Sequence, residues 1–90
     1  MQSLTRQIFQ AILGNGYELQ VDRERRGGTG VLLRNARHDE EAFYFFTDTN
    51  EAQVVETMAW QYCSDSQLAN LYPDSTHRKY SLYSNRVQYA

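Results

Sequence analysis

Cysteine and proline each occur once in these 90 residues. A lone cysteine excludes the disulfide framework on which small exported domains rely. The chain also lacks an apolar run approaching the roughly 18–20 residues that cross a bilayer. Gln2, Ser3, Thr5 and Arg6 stand where a signal peptide would carry its apolar stretch. These absences lead to the expectation of a cytoplasmic protein. Cys63 is then expected to be a buried thiol, since neither a neighbouring histidine nor a helix N-terminus is at hand to activate it. There is no internal repeat, low-complexity segment, charge block or Pro/Gly/Ser tract, so nothing marks a linker or a disordered arm. The formal net charge of -2 is the wrong sign for a general nucleic-acid coat. The length suits one domain, residues 1–90, with a single modest core.

Aromatic residues, by contrast, are abundant. The densest run is Ala42-Phe43-Tyr44-Phe45-Phe46, and strand alternation places Phe43 and Phe45 on one face with Tyr44 and Phe46 on the other. A strand apolar on both faces is expected to be central or covered by a second layer or a second chain, with Phe45 in the core. Asp48, Thr49 and Asn50 then supply helix caps. Ala52, Val55, Met58, Ala59, Tyr62 and Cys63 form the stripe that should be buried, leaving Trp60 on the polar side.

Upstream, Ser3 caps a helix expected over 3–14, whose apolar positions include Leu4, Ile8, Ala11 and Ile12 and which Gly14-Asn15-Gly16 ends. Tyr17, Leu19 and Val21 alternate with Glu18, Gln20 and Asp22, which reads as a strand with one wet face. The glycines at 27, 28 and 30 predict a hairpin turn, residues 31–36 the returning strand, and His38-Asp39-Glu40-Glu41 a polar turn before the aromatic strand. A short helical turn from Asp65 or Ser66 to Pro73 follows, and alternation over 79–89 suggests a fourth strand. The expected class is α+β: helix, three-stranded antiparallel meander, helix, short helical turn and fourth strand, in a two-layer sandwich.

Two surfaces carry chemistry. Trp60, Tyr44, Phe46, Tyr80 and Tyr83 exceed what a small core absorbs, and Tyr and Trp make good interface anchors. They are the expected contacts for a protein partner or a second copy of the chain. Arg23, Arg25, Arg26, Arg34 and Arg37 gather around the glycine turn and could meet phosphate or nucleic acid, although Asp22, Glu24 and the acidic turn oppose them. The Gly27-Gly28-Thr29-Gly30 turn lacks the lysine and following helix of a phosphate-binding loop. His38 with its acidic neighbours reads as a solvated turn, while Cys63, His77 and Asp74 are too scattered for a catalytic set. The leading expectation is a small non-enzymatic interaction module without cofactor or metal, bound to a protein partner or to a second copy of itself as a homodimer; nucleic-acid binding through the arginine hairpin is the alternative, and no membrane role is expected.

Overall fold

The structure, a computed structural model, describes residues 2–25 and 27–74, with only the backbone of residues 24 and 25. It is an α+β fold. Helix α1 (Leu4–Gly14) leads into strands β1 (Glu18–Arg25) and β2 (Gly28–Asn35), a 3-10 turn (Ala36–His38), strand β3 (Glu40–Phe46), and helices α2 (Glu51–Tyr62) and α3 (Asp65–Leu71). The strands form an antiparallel meander in the order β1-β2-β3. The fourth strand expected over 79–89 lies outside the described residues. No helix among the described residues is long and apolar enough to cross a membrane.

Local chemistry sets the boundaries. The Ser3 hydroxyl accepts from the Arg6 amide at 3.2 Å and starts α1. Ser64 starts α3 one residue before the positions expected from sequence, because Gln67 completes a reciprocal capping box with it. Asn50 stands at the N-cap of α2 but turns its side chain backward, accepting from the Thr47 amide at 2.7 Å, so the loop rather than the helix is held. Among the described residues of the hairpin, Gly27 alone uses a positive φ, 79°. Gly28 already belongs to β2. A side chain is excluded there, since a Cβ would lie 2.5 Å from Phe45 Cζ and 2.6 Å from the Phe46 carbonyl oxygen. The second connection has the four residues expected but lies two positions earlier, over 36–39: Asp39 takes the left-handed conformation at φ 51°, and Glu40 and Glu41 are strand residues.

The core forms where one face of the sheet meets the helices. Val31 and Leu33 of β2 and Phe46 of β3 join Ile8 and Ile12 of α1, Val55, Met58 and Ala59 of α2, and Leu68 of α3. The expected stripe of α2 is buried from Val55 to Cys63, whereas Ala52 is exposed. Cys63 is a buried free thiol. Two expectations are corrected. β3 is an edge strand, with β2 in the centre. Phe45 is 37% exposed, and it is Phe46, at 4%, that enters the core.

Candidate functional site

The outward face of the sheet is one candidate surface. Pairing of Leu32 with Phe43 and of Gly30 with Phe45 puts these residues side by side on the face opposite the core. Phe43 is 51% exposed there, and Leu32 is half-buried. With Gln20, Asp22 and Gly30, Leu32 and Phe43 line a shallow groove of about 270 Å³. One end of the face is charged, where Arg34 Nη2 meets Glu41 Oε2 at 3.2 Å with both side chains more than half exposed.

The helix side carries a second cluster, built from tyrosines. The rings of Tyr17 and Tyr62 meet edge to face with centroids 5.1 Å apart, and those of Tyr44 and Tyr62 do so at 6.2 Å. The Tyr44 and Tyr62 hydroxyls share a hydrogen bond of 2.7 Å, and the Tyr17 hydroxyl donates to Glu40 at 3.4 Å. Burial, reinforced by the bond to Tyr44, pushes the Tyr62 hydroxyl well above the ordinary tyrosine range. Burial and then the Glu40 carboxylate raise Tyr17. Both hydroxyls are therefore held protonated at neutral pH, as donors in a structural network rather than as bases.

The third feature is a cleft of about 500 Å³ between α1 and the hairpin end of the sheet. Arg6 and Phe9 of α1, Arg23 of β1, Thr29 of β2 and Glu51 of α2 all reach its walls. Glu51 is already anchored, its Oε2 accepting from the Thr5 hydroxyl at 2.6 Å.

The residues singled out from sequence are placed unevenly. Trp60 is only 9% exposed: its ring stacks on Tyr72 with centroids 6.0 Å apart and 12° between planes, and its Nε1 donates to Glu56 at 3.4 Å. The expectation of an indole on the solvent side of α2 is thus corrected, because Tyr72 at the end of α3 covers it. Phe46 is in the core, and Tyr44 is half-buried on the helix side. Tyr80 and Tyr83 lie outside the described residues, as do the side chains of Arg25 and Arg26. Arg34 pairs with Glu41, Arg37 is exposed beyond β2, and Arg23 opens into the α1 cleft. Arg23, Arg34 and Arg37 therefore occupy separate places.

No protein family, curated protein or solved structure matches the chain. Phe43, Phe45 and Arg6 are not among the partner- or anion-binding residues expected from sequence. Alternation already paired Phe43 with Phe45, and only the direction of the core was missing. Arg6 carried no signal, being one polar residue on an amphipathic helix.

Proposed function

We propose that this protein is a non-enzymatic interaction module that engages a protein surface, a second copy of itself included, through the outward face of its sheet. The observation that supports this reading is the pair of phenyl side chains, Phe43 and Phe45, 51% and 37% exposed on that face. Large aromatic side chains grouped beside an aliphatic one, with a charged pair at the margin, have the composition of an interface centre and its rim. The anchor role expected of Trp60 and Phe46 passes to these two residues, because an anchor has to be accessible.

The test replaces both phenylalanines with serine. Phe43→Ser/Phe45→Ser should remain folded while weakening association by about 2 kcal/mol or more, as loss of interface anchors does. Sedimentation across the micromolar range measures the self-associating form directly. A parent that stays monomeric confines the reading to a different protein partner. A double variant that no longer folds would remove it, since the two rings would then be structural.

A further inference from the structure

We infer that the cleft between α1 and the hairpin end of the sheet binds a nucleotide, through both its phosphate and its base, whether free or within a single strand. This site is independent of the outward sheet face. Two guanidinium groups from different elements, Arg6 on α1 and Arg23 on β1, line the same cavity of about 500 Å³. Among the described residues neither is in an ion pair, whereas Arg34 is paired with Glu41. Two positive charges lining one cavity favour an anion there. The planar fork of arginine fits phosphate oxygens two at a time, and the Thr29 hydroxyl on the same wall adds a donor.

The rest of the cleft selects what the phosphate is attached to. Phe9 is half-buried and packs against the core, giving a fixed aromatic wall on which a base can stack. On the α2 side, Glu51 is oriented by the 2.6 Å bond from Thr5 to one of its oxygens. Its other oxygen has no bond among the described residues and can accept from the exocyclic amine of a base. The same negative charge opposes a second phosphate beside it. Two guanidinium groups, a ring wall and a carboxylate acceptor on one cavity supply a partner for each part of a nucleoside monophosphate unit bearing an amino group. The volume is that of an ordinary small-ligand site.

Calorimetric titration of the full chain at low salt, with adenosine monophosphate, adenosine, inorganic phosphate and a short single-stranded oligoadenylate, tests the site. Adenosine monophosphate should bind more tightly than adenosine or phosphate alone, because it engages the arginines and the aromatic wall together. Arg6→Gln/Arg23→Gln should lower its affinity about tenfold or more, as expected for two lost charge-assisted contacts. Arg37→Gln, on an exposed arginine outside the cleft, should change it less than about twofold. Melting curves of each variant establish that the fold is kept. If the oligonucleotide binds and is displaced by the mononucleotide, the source is a strand; if only the mononucleotide binds, it is the free nucleotide. The inference is overturned if adenosine monophosphate does not bind in the millimolar range, if adenosine binds as well as its phosphate, or if Arg37→Gln weakens binding as much as the double variant.

Discussion

The two faces of β3 are equally aromatic and have opposite fates. Phe46 is 4% exposed, while its chain neighbour Phe45 is 37% exposed. Hydrophobicity does not separate them, and both are phenylalanine. What separates them is the side on which α1, α2 and α3 lie. The burial of a strand residue is thus a property of the layer it faces, and the outward face of β3 keeps a partly exposed apolar character.

The comparison is broken most severely by truncating the inward ring. Phe46→Ala should destabilise by about 3–5 kcal/mol, the usual cost of emptying a buried phenyl site, measured by chemical denaturation. A cost near that of Phe45→Ala would mean the two faces had been assigned the wrong way round. Gly28→Ala comes next, at about 1–3 kcal/mol, because a methyl group there meets both the Phe45 ring and the Phe46 carbonyl. Making the change in a Phe45→Ala background sharpens the point. Relief should be partial, since the ring is gone but the carbonyl remains.

The tyrosines of the inward face add a dependence on pH. Tyr62 titrates well above the ordinary tyrosine value of 10.0, chiefly through burial. A raised folded-state pKa means that the native state retains a proton the unfolded state gives up. Its contribution is present in full below about pH 10 and is lost progressively as pH rises further. Denaturation midpoints should therefore fall in strong alkali, and Tyr62→Phe should flatten that fall. An unaltered slope in the variant would place the effect elsewhere.

On the outward face the effects shrink. Phe45→Ala should cost about 1 kcal/mol, in keeping with its partial burial. Arg34→Ala should cost about 0.5 kcal/mol or less, because the Glu41 pair is solvated on both sides.

Much of this arrangement is legible in the sequence. The alternation of β1 and β3, the Ser3 cap, the stripe of α2 and the stop before Pro73 follow from periodicities and caps that act within a few residues. Trp60 is not legible in that way. Its angular position on α2 is polar, and only Tyr72, brought across by α3, turns that position into core. Ser64, Asp65 and Ser66 all have cap chemistry, and Gln67 three residues after Ser64 decides for it, since Leu68 and Ala69 stand at that place for the other two. The α1 cleft was beyond reach for a related reason: Arg6 and Arg23 meet only after the hairpin has packed on α1. Contacts within a turn of helix or a pair of strands leave a pattern in the sequence, and contacts between elements leave none.

The side chain of Asn15 has one more consequence. Its Nδ2 donates to the Tyr62 carbonyl at 2.9 Å and to Gln67 Oε1 at 2.8 Å, and its Oδ1 accepts from Gln67 Nε2 at 3.2 Å. Gln67 in turn accepts from the Ser64 amide at 2.7 Å. One carboxamide thereby joins the last residue of α1's cap, the end of α2 and the start of α3. Fraying at any of these three termini releases bonds at the other two, so they should open as one cooperative unit. Hydrogen exchange would then report a shared opening free energy for amides around Asn15, Cys63 and Gln67, and Asn15→Ala would divide it into separate local events.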